Sequence, residues 1–92
     1  MDDTHLIELL DPLAEAELTL ALAESLTGGA LCARLVDVPK ASRVLRGGVC
    51  TYATPLKASL LGVDSTLLAE KGPVDAEVAR QMAQGARRLM GA

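Results

Sequence analysis

The chain has no Phe and no Trp, and Tyr52 is its only aromatic residue. A core of large rings is excluded, so leucine, valine and alanine must build it. Alanine-rich packing implies close backbone approach and little area buried per residue. Cysteine is scarce too: Cys32 and Cys50 are the only two, too few for a disulfide framework. No run of about 18 apolar residues occurs, so no segment reads as membrane-spanning. There is no excess of positive charge. The formal net charge of −3 gives no electrostatic reason to bind nucleic acid or an anionic membrane. The opening Met1-Asp2-Asp3-Thr4-His5 is acidic, unlike a secretory signal. A reduced, cytoplasmic setting with free thiols is the resulting expectation. Zinc-ligand spacing, GxGxxG and a phosphate-binding lysine loop are also missing. No metal or organic cofactor is implied.

What is present fits one small domain spanning residues 1–92. At this length roughly 60–65% of the unfolded surface is buried on folding. Leu6, Leu9, Leu10 and Leu13 fall at helical spacing and predict a helix over 5–16, which Pro12 would kink or delay. The continuous apolar run over 18–23 reads as a strand buried on both faces, as in a parallel sheet. A second helix is predicted over 28–37, with Leu31, Leu35 and Val38 facing inward and Pro39 as its stop. Gly47-Gly48 reads as a turn leading into a second strand over 49–52. Thr54 caps a third helix, 55–61, and Asp64 a fourth, 65–70. Asp75 caps the last, whose inward stripe is Val78, Met82, Ala86 and Leu89. This alternation is α/β. With two strands and none after the last helix, it reads as the incomplete front part of a larger α/β unit. A truncated product, a fragment and the ordered part of a longer chain all fit.

The chemistry concentrates at Ala23-Glu24-Ser25-Leu26-Thr27-Gly28-Gly29, where the first strand runs into a polar elbow. Backbone N–H groups from Thr27 to Ala30 sit before a helix, where partial positive charge favours phosphate or an oxyanion. Gly28 and Gly29 let a ligand approach the backbone closely. Ser25 or Thr27 could be a nucleophile, could only hydrogen-bond, or could simply cap the helix. Lys57 follows the second strand as Ser25 follows the first. The ends of neighbouring parallel strands lie about 5 Å apart, so a lysine there can reach the serine and serve as a general base. The blander alternative is a solvated lysine. Tyr52 could hydrogen-bond or stack on a substrate, or only pack. Arg43 and Arg46 could clamp a phosphate or lie on the surface. Cys32 and Cys50 read as small core residues.

Several ordered motifs together resemble the C-terminal domain of the CinA (competence/damage-inducible) proteins, which also occurs alone as nicotinamide mononucleotide deamidase. They are the elbow itself, Arg46-Gly47-Gly48-Val49, Tyr52, Lys57-Ala58-Ser59-Leu60-Leu61-Gly62-Val63, Gly72-Pro73-Val74 and Val78-Ala79-Arg80-Gln81-Met82-Ala83. The resemblance implies a three-layer α/β/α sandwich and hydrolysis of nicotinamide mononucleotide to nicotinic acid mononucleotide and ammonia. Carried onto this chain, it makes Ser25 the nucleophile and Lys57 its base, with Tyr52 and Thr27 at positions lining the site. Joined to the elbow and clamp readings above, the candidate set is Ser25, Lys57 and Tyr52 for catalysis and Thr27, Gly28, Gly29 and Arg46 for substrate binding. The family's elbow often has Cys where this chain has Leu26. In the family, further strands and a Gly-rich loop follow the last helix here. If the chain ends at Ala92, association between copies would complete the sheet, and a homo-oligomer is expected. The partner implied is a pyridine nucleotide, with no nucleic acid and no membrane. The alternative is a catalytically silent nucleotide-binding or assembly module.

Overall fold

Two short parallel strands organise the chain, and helices cover both of their faces. The computed structural model describes residues 3–92. In chain order come α1 (Asp3–Glu15), β1 (Leu20–Glu24), α2 (Ala30–Val36), a 3₁₀ turn (Ala41–Arg43), β2 (Leu45–Cys50), α3 (Thr54–Leu61), α4 (Ser65–Lys71) and α5 (Ala76–Met90). β1 pairs with β2 in parallel, with Ala21 opposite Gly47 and Glu24 opposite Cys50.

Side-chain alternation along β1 creates two cores. Leu20 and Leu22 face one that contains Leu6, Leu10, Leu35, Val38 and Val44, from α1, α2 and the segments flanking the 3₁₀ turn. Ala21 and Ala23 face the other, built from Leu61, Val63, Leu68, Val78, Met82 and Ala86. The result is three layers, α/β/α, as expected. The alanines on the second face leave room for α5 to lie directly over β1. The register shifts between Leu20 and Ala21, because Leu20 pairs with Leu45 but Ala21 pairs with Gly47. Arg46 is the extra residue. Such a bulge reverses the alternation beyond it. Leu45 therefore joins the first core and Val49 the second.

The strands differ from expectation in two ways. β1 is half-buried rather than buried on both faces. β2 starts at Leu45, so Gly47-Gly48 lies inside the strand and not in a turn. The glycines are there for packing. A Cβ on Gly48 would sit 3.0 Å from Cys32 Sγ, and one on Gly47 3.3 Å from Met90 Sδ. Glycine inside a strand marks such close approach.

The helices differ in smaller ways. Pro12 sits inside α1, on its exposed side, where water can replace the donor it lacks. Thr54 is the first residue of α3 and not its cap; the cap is Ala53, which makes no side-chain hydrogen bond. Asp64 and Asp75 cap α4 and α5 through their carboxylates. Leu9, Leu31 and Leu89 point outward, leaving Leu6, Leu10, Leu35, Val78, Met82 and Ala86 to form the buried stripes. Among the described residues, no helix is long and apolar enough to cross a membrane.

Candidate active site

β1 ends at Glu24, and the chain then folds back on itself. Gly28 N–H donates to Ser25 O (3.1 Å) and Ala30 N–H to Thr27 O (3.0 Å). Two overlapping turns result. Gly28 and Gly29 take positive φ angles of 62° and 101°, which residues with a Cβ rarely adopt. Thr51 N–H donates to Glu24 O at 2.9 Å, which ties the ends of the two strands together. Ser25 stands at this junction, half-buried.

Lys57 reaches Ser25 from below. α3 starts four residues after β2 and turns Lys57 inward, where it is 1% exposed. Its Nζ lies 2.8 Å from Ser25 Oγ, 2.5 Å from Thr51 O and 3.4 Å from Tyr52 O. Among the described residues it forms no ion pair. An ammonium has three protons to donate and would find three acceptors here. A neutral amine has two, and the two carbonyls can take them. Its lone pair would then face Ser25 Oγ and could accept the hydroxyl proton. The seat thus offers hydrogen-bond partners to either form of the amine. Thr51 is fully buried beside it, and its hydroxyl finds no hydrogen-bond partner among the described residues.

The donors of the elbow are divided between structure and open space. Glu24 is buried. Its Oε1 accepts from Thr27 Oγ1 (2.6 Å) and Leu31 N (2.9 Å), and its Oε2 from Cys32 N (2.9 Å). The Thr27 hydroxyl is the main influence that lowers this carboxyl's pKa; the N–H groups of Cys32, Leu31 and Gly29 add to it, while burial opposes. The N-terminus of α2, read from sequence as an open anion site, is therefore filled by the chain's own carboxylate. Gly28 N–H is bonded to Ser25 O and Gly29 N–H turns to Glu24, so over residues 26–29 the N–H groups that meet no protein partner among the described residues are those of Leu26 and Thr27.

Ser25 opens into a cleft of about 860 Å³ between this elbow and the start of α5. Leu26, Tyr52 and Val74 stand exposed at it, and Thr54, Asp75 and Met82 contribute to its walls. Among the described residues, its only charged lining residues are Glu24 and Asp75. Among the described residues, no three His, Cys, Asp or Glu side chains gather as a metal site would require.

Residues 3–92 match the family described as the CinA C-terminal domain. The chain belongs to that family. A CinA-like protein of Frankia casuarinae is 50% identical over 91 residues, covering 99% of this chain and 21% of the relative. One from Geobacter sulfurreducens is 54% identical over 77 residues, covering 84% of this chain and 19% of the relative. The solved structure of a competence-damaged protein (CinA) superfamily member from Escherichia coli superposes with a TM-score of 0.93 at 29% identity. It covers 98% of this chain and 52% of that one. The chain thus spans about a fifth of these curated relatives and about half of that structure.

Within this CinA domain, Ser25, Lys57, Tyr52 and Thr27 come together as their positions in the sequence suggested. Tyr52 contributes two separate parts: its carbonyl seats Lys57, and its ring, 73% exposed, lines the cleft. Gly28 and Gly29 shape the elbow but do not line the cleft. Arg46 is absent from the site. It lies at the opposite end of β2, four residues or about 13 Å before Cys50, and its Nε donates to Met90 O at 2.8 Å. In this structure Arg46 is therefore occupied away from Ser25 and does not join the expected clamp. Arg43 pairs with Asp11 at 2.7 Å and is equally remote. Cys50 is exposed, not a core residue, and its Sγ sits 3.8 Å from Ser25 O. Sequence reasoning missed Glu24. The signal was an acidic residue closing an apolar strand three positions before a threonine.

Proposed function

We propose that this CinA domain carries the nucleophile of a nicotinamide-nucleotide amidohydrolase. The observation that carries the proposal is the buried Lys57 Nζ, 2.8 Å from Ser25 Oγ and fixed from behind by two backbone carbonyls. Ser25 Oγ attacks the carboxamide carbon while its proton passes to Lys57. The developing oxyanion accepts from the Leu26 and Thr27 N–H groups, the arrangement that stabilises tetrahedral intermediates of acyl transfer. Collapse of the intermediate expels ammonia with the proton held by Lys57. Water, activated by the same amine, then releases nicotinic acid mononucleotide and restores Ser25. Tyr52 offers its ring to the pyridine. Among the described residues no cationic side chain lines the cleft, so in this reading a cation that meets the substrate phosphate comes from outside these cleft residues. A cytoplasmic site of action and self-association fit this reading. The test is ammonia release from nicotinamide mononucleotide by the protein and by Ser25→Ala. Equal rates would rule out the serine mechanism.

A second reading is a silent nucleotide-binding or assembly module. Calorimetric titration with the mononucleotide separates the two, because the module predicts binding without turnover.

A further inference from the structure

Glu24 is the charged side chain closest in sequence to the proposed nucleophile, and the reaction outlined above does not use it. It is 4% exposed, on a chain that buries few polar side chains. Burial of a carboxylate is unfavourable unless donors surround it. Here three donors within 2.9 Å do so: Thr27 Oγ1, Leu31 N and Cys32 N. Two of them are N–H groups at the start of α2, which an unfilled helix end would leave without partners. The third belongs to the elbow. One oxygen, Oε1, holds Thr27 and Leu31 together, and so clamps the loop to the helix across the two left-handed glycines.

The consequence is positional. Residues 25–27 are fixed on one side by β1 and on the other by this clamp. That leaves Ser25 Oγ facing Lys57 and the Leu26 and Thr27 N–H groups unspent. We propose that Glu24 is a positioning residue for the serine nucleophile: its carboxylate closes α2 and thereby sets the conformation of the Ser25-Leu26-Thr27 turn. This rests on Ser25 being the nucleophile, and it adds that the α2 N-terminus is not where a substrate anion binds.

Glutamine cannot take over this role. Its amide presents one acceptor and one donor, and the donor would face an N–H of Leu31 or Cys32. The informative readout is covalent labelling of Ser25 by a fluorophosphonate probe, which requires an activated serine but no particular substrate. Mass spectrometry gives the site and rate. Glu24→Gln is expected to slow labelling about 10²-fold, the scale of a misplacement near 1 Å, and to speed amide exchange at Leu31 and Cys32. In the amidase assay kcat should fall with KM little changed. Labelling within about twofold of wild type, the scale of ordinary scatter between variants, would overturn the proposal. If Glu24→Gln does not fold, Thr27→Val carries the test. That exposed position loses one donor to the carboxylate, and labelling should slow about fivefold, the worth of one ordinary hydrogen bond. An unchanged rate in Thr27→Val then overturns it. Wild type that labels at Ser25 yet releases no ammonia refutes the amidase reading alone. Wild type that does not label at Ser25 refutes both.

Discussion

The two ends of β2 carry similar sequence signals and do different things. At its beginning stand Arg46, Gly47 and Gly48; just past its end stand Thr51, Tyr52 and, after one turn, Lys57. Both stretches contain a cation. At the first, the cation is tied to the Met90 carbonyl and the glycines admit Cys32 and Met90. At the second, the cation is buried against Ser25. Parallel strands explain the difference. Their carboxyl ends lie side by side and open together into the loops that follow, whereas their amino ends receive the returning connections. Ligand sites of open α/β sheets gather at carboxyl ends for this reason. The proposed chemistry and the packing are thus divided along the axis of one six-residue strand.

The sharpest way to test that division is to remove the cation at each end. Lys57→Met keeps much of the side-chain length but removes the base. Amide hydrolysis should fall by about 10³-fold, within the range supplied by general acid–base catalysis, and steady-state ammonia release would measure it. A loss of less than about tenfold would be too small for a base in direct contact with the nucleophile. The next effect belongs to the packing end. Gly48→Val would drive its Cβ against Cys32, whose Sγ and Cβ stand 3.0 and 3.2 Å away. Overpacking of this kind destabilises by about 1–3 kcal/mol. Urea unfolding should show it as a lower midpoint, while Ser25 labelling in the fraction that stays folded remains unaltered.

Acid offers a different contrast, because one end has a titrating group in its hydrogen-bond network and the other does not. The folded Glu24 carboxyl lies below the ordinary value of 4.5, chiefly because Thr27 donates to it. A depressed folded pKa means that the stabilisation is complete above the ordinary value and is lost as pH falls through the lower one. Amide shifts of Leu31 and Cys32 should therefore hold steady down to about pH 4.5 and move below it. Those of Gly47 and Gly48, whose neighbour Arg46 meets a carbonyl, should not follow. A titration in which both sets move together would show that the elbow has no acid response of its own.

These contrasts also explain what could be read before the fold was known. The pairing of Ser25 with Lys57 was legible because it needs only two parallel strands, each followed by a polar residue within a turn. The α/β order was legible because the apolar run ending at Ala23 has strand length and the stripes of α1 and α5 have helical spacing. Gly47-Gly48 was misread because local turn chemistry and a close helix contact use the same residue; only the position of Cys32 decides between them. Leu31 was placed inside by spacing, yet α2 is a single short helix with one buried residue, Leu35, and spacing alone cannot fix its rotation. Glu24 escaped because carboxylates are seldom buried. Its partners at Leu31 and Cys32 become neighbours only when the chain turns through Gly28 and Gly29.

Arg46→Ala is the smallest perturbation and the most direct check on the packing end. A role in substrate binding would show as a raised KM for the mononucleotide. The geometry predicts otherwise, because Arg46 stands about 13 Å along the strand from the elbow and its Nε is occupied by Met90 O at 2.8 Å. The variant should lose about 1 kcal/mol or less, the net worth of one exposed hydrogen bond, visible as a small fall in the unfolding midpoint. KM and kcat should both stay within about twofold of wild type, since neither reads an interaction made only with Met90. An increase in KM with stability unchanged would mean that the guanidinium leaves Met90 for the substrate. The two ends of β2 would then form one site.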